Sequence, residues 1–503
     1  MTIHKNIKYI GLIACAGILT FTSCKKEFFD INDNPNSPKV IKLSEALPTA
    51  QLAIGQAVGN DLKIAGGMWG QYWTQNFNAS QYKAWDLYNV AADDIRAPWL
   101  SLYQDALTDL NYIIANATTE GKTNYVAIAT ILKAYDFQVL TDAYGDIPFS
   151  EAGKGAEGIF SPKYDSQQNI YNGIISMLKD GISKIDLNSD VHPAEDDLIY
   201  HGDMHLWLKF ANTILLKVYI RLSEKDAPKA QAGIAELKNS NAEFIDQDET
   251  AKIDYYVTGG NTNPLYSSFI ALNSTRNLIA NSTAVNAFLK LGDDRLTKLY
   301  TPVGNAYIGL PSGYLGIKNT GGIADPPNVP SYPSDYTGAS PNEEAAKAPV
   351  IFASDYESYF LQAEAIERGW LAGNAKQFYE DAIALSYLSL GLEADTTTSY
   401  ADYIADPAVN YTLQTDKYQA IFFQKWYAMC GTQNFEAWTE GRRTGYIEAN
   451  MGQTYLDKKF FTRSLTAGAN LLPARILYPN FEVTRNANFP GQKLLSDKVW
   501  WAK

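Results

Sequence analysis

Apolar residues that return every third and fourth position are the strongest constraint on how this 503-residue chain can fold. Tyr171, Ile174, Ile175, Leu178, Ile182 and Ile185 form one such series; Ile128, Leu132, Tyr135, Val139 and Leu140 form a second; Leu206, Phe210, Ile214, Val218 and Leu222 form a third. An α-helix turns once in about 3.6 residues, so each series lies along one helical face that must be buried against a partner. The spacing predicts antiparallel pairs over 98–117 with 122–143, 167–187 with 205–223 and 355–369 with 374–390. Gly369 and Gly373, between the last two, suit helix ends. The expected fold class is mainly α: a tetratricopeptide-like helix-pair scaffold, lacking the strict repeat consensus, with long irregular loops forming a ligand-binding face.

Those loops concentrate in two places. Between about 255 and 349 the pattern changes to Gly, Pro, Asn and Tyr, as in Leu310-Pro-Ser-Gly-Tyr314. Loops of such length in a compact body commonly carry function, and Tyr307, Tyr314, Tyr332 and Tyr336 lie on this one. A second irregular, aromatic-rich stretch runs from Trp69 to Trp85 and includes Tyr72, Trp73, Phe77 and Tyr82. The chain holds 33 Tyr, 21 Phe and 10 Trp, a number that leaves some rings to face water. Its net charge of −13 argues against a nucleic-acid partner, which would require a basic face.

The first 23 residues read as an export signal. Lys5 and Lys8 precede an apolar run from Tyr9 to about Thr22, too short to span a hydrocarbon layer of roughly 30 Å. Phe21-Thr22-Ser23-Cys24 is similar to a bacterial lipobox, with Phe21 where leucine is usual, so Cys24 is the expected lipidation site. Acyl chains there would hold the protein to a membrane at about 0.8 kcal/mol per buried methylene. Residues 24–45 read as a lipidated tether and 46–503 as a single body carrying the 255–349 insertion. Asp30, Asn32 and Asn34 do not make a calcium loop, because Pro35 stands where its turn needs glycine. Cys430 then has no cysteine partner and reads as inert core.

Catalytic signatures are missing. Beyond the signal there are three histidines, His192, His201 and His205, and no G-x-S-x-G elbow. Gly121-Lys122-Thr123 ends like a phosphate loop, but Asn116 occupies the place of its first glycine. His201 and His205 could share a helix face around zinc, yet Asp203 reads better as the cap of a helix starting at Met204, and no metal or cofactor is expected. Arg442 and Arg443, near Glu436 and Glu440, read as a structural ion-pair cluster. Paired carboxylates leave a helical glycoside hydrolase acting on an extracellular polysaccharide as the alternative function.

Five motifs in order then point to a family. They are Phe29-Asp30-Ile31-Asn32-Asp33-Asn34-Pro35 with the 134–152 segment around Asp142, Tyr144-Gly145-Asp146-Ile147-Pro148 and Glu151; Tyr200-His201-Gly202-Asp203 with Trp207; Tyr359 to Ala365 with Gly369; Gln424-Lys425-Trp426 through Trp438 to Tyr446; and Leu477 to Glu482. In these residues the chain resembles the SusD/RagB family of outer-membrane lipoproteins, and in particular its second SusD-like subgroup. Physically the motifs look architectural: Trp207 and Trp438 read as core knobs with the indole N–H tied by a hydrogen bond.

The resemblance implies a cell-surface, outer-membrane, lipid-anchored protein that captures a glycan or a peptide and passes it to a SusC-like TonB-dependent transporter, without catalysis. An aromatic ring can receive the apolar face of a sugar, and an aromatic pair contributes about 0.5–1.5 kcal/mol beyond its burial. By chain position relative to the family, the expected ligand contacts are Trp69, Trp73, Tyr82, Trp85, Tyr314, Tyr332 and Tyr336.

Overall fold

The computed structural model describes residues 41–258, 260–316, 330–393, 398–452, 459–465 and 472–503. Cys24, the signal and nearly all of the tether therefore lie outside the described residues. Leu43–Lys503 forms one compact unit. Its first helix begins at Leu43, so the last residues of the segment read as tether already belong to the body.

Twelve helices carry the argument. They are α1 (Leu43–Gly59), α2 (Asp61–Trp69), α3 (Leu107–Glu120), α4 (Thr123–Tyr144), α5 (Gln167–Lys184) and α6 (Met204–Leu222). After them come α7 (Ala227–Asn239), α8 (Ser282–Leu291), α9 (Asp355–Glu367), α10 (Ala375–Leu388), α11 (Lys417–Met429) and α12 (Asn434–Thr444). The pairs expected from periodicity are present: α3 packs on α4, α5 on α6 and α9 on α10. Further packing of α4 on α5 and of α6 on α9 joins the pairs into one stack. Ser166 caps α5 and Ser354 caps α9, their hydroxyls accepting from Asn169 N–H and Glu357 N–H. Asp203 caps α6 by accepting from the amides of His205 and Leu206.

The helix α4 is buried around nearly its whole circumference. It stops at Gly145, whose φ of +85° only glycine adopts without strain. The motif residues that follow are structural: the Tyr478 hydroxyl donates to the carbonyl of Asp146, and the Gln167 amide donates to the Asp146 carboxylate. Trp207 and Trp438 are buried, and their indole N–H groups donate to Asp197 and to the carbonyl of Pro473. Cys430 is also buried; desolvation pushes its thiol up to about 12, so it is unreactive at neutral pH.

Buried charge ties the stack together. Arg221 on α6 donates to Glu436 and Glu440 on α12, and its Nε lies 3.6 Å from Asp142 on α4. Lys217 reaches Glu357 on α9 at 2.7 Å; Arg443 reaches Glu364 at 2.6 Å and Glu440 at 2.8 Å; Lys425 on α11 lies 3.1 Å from Glu440. The cluster around Arg442 and Arg443 thus extends over five helices. Burial alone would raise the pKa of Glu440, but Arg443, Lys425 and Arg221 outweigh it and hold the carboxyl well below its usual value.

The 255–349 region is less irregular than its composition suggests. It contains helices at Pro264–Ala271, α8 and Leu296–Leu299. Among the described residues of the whole body, eight short strands make four two-stranded antiparallel ribbons: β1 (Trp73–Gln75) with β5 (Leu278–Ala280), β2 (Ile147–Pro148) with β3 (Tyr164–Asp165), β4 (Ala251–Ile253) with β8 (Val350–Ala353), and β6 (Tyr300–Thr301) with β7 (Tyr332–Pro333).

Candidate functional site

Two of those ribbons and the turns beside them build one face. In β1 and β5, Trp73 stands opposite Ala280 and Gln75 opposite Leu278. The Leu310 amide donates to the Ala280 carbonyl, and the Ala280 amide to the Ser331 carbonyl, so four chain segments are laced side by side. Asn281 closes the weave: its Oδ1 caps α8 by accepting from Thr283 N–H, and its Nδ2 donates to Ser312 at 2.9 Å. Behind them Asp86, buried, accepts from the Thr74 hydroxyl at 2.8 Å and from the Gly313 amide at 2.7 Å.

Asp86 gives this face a pH signature. Burial pushes its carboxyl up to about 7, against the opposing pull of the Thr74, Gly313 and Gln75 donors. An acid whose folded pKa exceeds its unfolded value of about 4 binds its proton more tightly in the folded chain. Its stabilising contribution is therefore complete below about pH 4 and is lost as pH rises to 7. Asp86→Asn is expected to remove this part of the slope, on the order of 4 kcal/mol across the window. Denaturant unfolding of both proteins at pH 4.5 and 7.5 reads the difference; identical slopes would show that Asp86 titrates normally.

Beside the ribbons lies a cavity of about 640 Å³ between α8, α11 and residues 459–462. Phe423, Tyr427 and Phe460 supply its apolar wall, with Phe423 and Phe460 ring centroids 4.5 Å apart. Asn286, Gln414, Gln419, Gln424, Thr283 and Thr462 supply amides and hydroxyls. Lys290 and Lys459 stand at the rim, and no lining residue among the described residues is acidic. Gln424 is held in one orientation by a relay: Asp293 pairs with Arg295, Arg295 donates to the Tyr403 hydroxyl, and that hydroxyl donates to Gln424 Oε1 at 2.8 Å. Its amide N–H₂ makes no bond to a described protein group and is left as a fixed donor on the cavity wall. An apolar wall with a few positioned amides is the composition of a small-molecule site. Its described lining holds no carboxylate, and its rings and amides can hold a polar ligand.

The seven expected contact residues divide sharply. Trp69, Trp73, Tyr82, Trp85 and Tyr314 are buried, from 0% exposed at Trp73 to 8% at Tyr82, so they are not open platforms. Packing explains each. Trp73 lies on Gly67, where a Cβ would come within 2.5 Å of its ring. Trp69 meets Trp438 edge-on at 4.9 Å and donates to the Trp85 carbonyl; Tyr82 tilts onto Trp85; Phe77 meets Tyr314 edge-on at 5.5 Å. Tyr332 is half-buried under the Arg276 guanidinium at 4.2 Å, and Tyr336 is 43% exposed. The cavity wall itself was missed. Gln419, Phe423 and Tyr427 recur at four-residue spacing on α11, a pattern that reads in sequence as ordinary core.

Fold and site together define a class: a helix-pair scaffold that presents a cavity between two helices and a loop, with no acidic group among its described lining. Residues 35–479 match the SusD-like_2 family profile, described as starch-binding and associating with the outer membrane, and the chain belongs to this SusD-like family. No curated protein matches it in sequence. Among solved structures, a chitin-binding protein is 25% identical with a TM-score of 0.72, covering 90% of this chain and 99% of its own. A SusD-like protein from Bacteroidetes is 22% identical with a TM-score of 0.74, covering 92% and 100%. A chitin-binding SusD homolog from Flavobacterium johnsoniae is 19% identical with a TM-score of 0.71, covering 91% and 98%. No helix among the described residues is long and apolar enough to cross a membrane.

Proposed function

We propose that this protein is a cell-surface nutrient-binding lipoprotein that captures a glycan in the cavity beside α11 and delivers it to a SusC-like TonB-dependent transporter, with Cys24 as its lipid anchor. The observation that carries this reading is the aromatic and amide cavity, without acid among its described lining, on a SusD-like scaffold. Phe423 and Phe460 take the apolar face of a sugar ring, while Gln424 and Asn286 address its hydroxyls. The chitin-binding names of two structural relatives support a glycan over a peptide. Tyr332 and Tyr336, the two expected contacts that keep ring surface exposed, serve as additional contacts on the same loop-rich region.

Isothermal titration with chitin, starch and peptide fragments tests the reading. Phe423→Ala is expected to weaken oligosaccharide binding about tenfold, corresponding to about 1.4 kcal/mol. Binding of peptides alone, or equal affinity in the variant, would refute capture of glycan at this cavity. Co-purification from outer membranes tests the transporter partner, and mass spectrometry of the mature N-terminus tests acylation at Cys24.

A further inference from the structure

A second cavity, of about 340 Å³, lies between the C-terminal end of α2, helix α12 and the final segment of the chain. Its volume is within the range of small-molecule sites, about 300–1,000 Å³. Trp69, Tyr88 and Trp438 line it with aromatic surface, and Arg442, Arg463 and Lys498 line it with positive charge. Glu448 is the one acidic residue among its described lining, and it is already paired with Lys498 at 2.8 Å.

Arg442 and Arg463 differ from three of the buried arginines, while Arg475, also buried, likewise donates to a backbone carbonyl, that of Tyr144. Arg221, Arg295 and Arg443 each hold a carboxylate directly. Arg442, 8% exposed, instead donates to the carbonyls of Asp142 at 2.8 Å and Ala474 at 3.0 Å and to the Thr439 hydroxyl at 2.8 Å; its Nε has no hydrogen-bond partner. Its guanidinium lies 3.7 Å from the Trp438 ring centroid and 5.0 Å from that of Trp501. Arg463 donates to the Gly452 carbonyl at 3.1 Å. Neither forms an ion pair among the described residues. Desolvation accordingly pulls the Arg442 pKa down to about 9, a direction that a bound anion would reverse.

From the two guanidiniums that form no ion pair among the described residues and the aromatic walls, we infer that this cavity binds an acidic saccharide, a sugar ring bearing a carboxylate. The ring's apolar face lies against Trp69 and Tyr88, and the carboxylate is held by the cationic side chains, Arg being suited to bidentate pairing. Trp69, buried and unavailable as an open platform, acquires a ligand role here as a cavity wall. The inference names a substrate class for the capture function and rests on that reading only in taking the anion to be a sugar.

The test is calorimetric titration of the full mature chain with D-glucuronate, with D-glucose and sodium sulfate as controls at matched ionic strength. Glucuronate is expected to bind at least tenfold more tightly than either control. The double variant R463Q/K498Q, altered at less buried positions, is expected to lose at least tenfold of that affinity, with native near-ultraviolet circular dichroism showing an intact fold. Phe423→Ala, which disables the first cavity, is expected to leave glucuronate binding unchanged. Absence of glucuronate binding, equal binding of glucose or sulfate, or retention of affinity in R463Q/K498Q overturns the inference. Failure of the unaltered protein to bind neutral oligosaccharides, with glucuronate binding intact, would instead count against the first cavity alone.

Discussion

Arg221→Met is expected to destabilise the protein by roughly 3–5 kcal/mol, the cost typical of removing one partner from a buried ion pair. The arginine stands between three carboxylates, Asp142, Glu436 and Glu440, all buried on other helices. Methionine restores much of the volume but none of the charge. Glu436 and Glu440 would then have to share Lys217, Lys425 and Arg443, or take up protons inside the core. The loss should appear as a lower urea midpoint with an unchanged slope, the sign of altered stability rather than altered compactness. Adding Glu436→Gln should recover part of it, because the second change removes a charge left without its partner. A single variant as stable as wild type would show that α12 is held by apolar packing alone.

Asp197→Ala is expected to cost a comparable amount for a different reason. Asp197 is fully buried, and its two oxygens accept four hydrogen bonds: from Gln51 Nε2 at 2.7 Å, Trp207 Nε1 at 2.7 Å, the Gly202 amide at 2.9 Å and the Ile199 amide at 3.1 Å. Alanine leaves these donors buried and unmatched, at about 1–3 kcal/mol for each that finds no water. The Gly202 turn cannot rearrange to help. Its φ is +82°, and an added Cβ would stand 1.8 Å from the Pro193 carbonyl oxygen. Differential scanning calorimetry of D197A and D197N separates lost acceptors from lost charge. Asn retains one acceptor oxygen and should recover part of the stability, whereas equal melting of all three proteins would remove Asp197 as the organiser of this turn.

Asp197 also shows what a motif can and cannot convey. Tyr200, Gly202, Asp203 and Trp207 were legible as a family signature, and the cap at Asp203 was legible from helix chemistry. The carboxylate that accepts from both Gly202 and Trp207 was not, because Asp197 stands outside that motif. The same holds for Arg442 and Arg443. Charge spacing along α12 exposed a local cluster, but the partners Asp142, Lys217, Glu357 and Glu364 lie far away in sequence.

The candidate sites divide along similar lines. Aromatic density drew attention to the Trp69–Trp85 and 300–340 regions. It could not distinguish a ring that faces solvent from one that holds a loop in place, since both need the same residue type. Trp73 is buried against Gly67, and Tyr314 against Phe77, Ile279 and Leu310. Phe423 packs on Phe460 and with it lines the cavity between α8, α11 and residues 459–462.

What the chain determined unaided was its helices, their pairing, the caps and the family, because helical period, capping and short-range order are properties of neighbours in sequence. Tertiary structure alone decided which aromatic rings meet open space and which arginines lack a carboxylate. Exposure and charge balance are sums over residues brought together from distant parts of the chain, and no local pattern contains that sum.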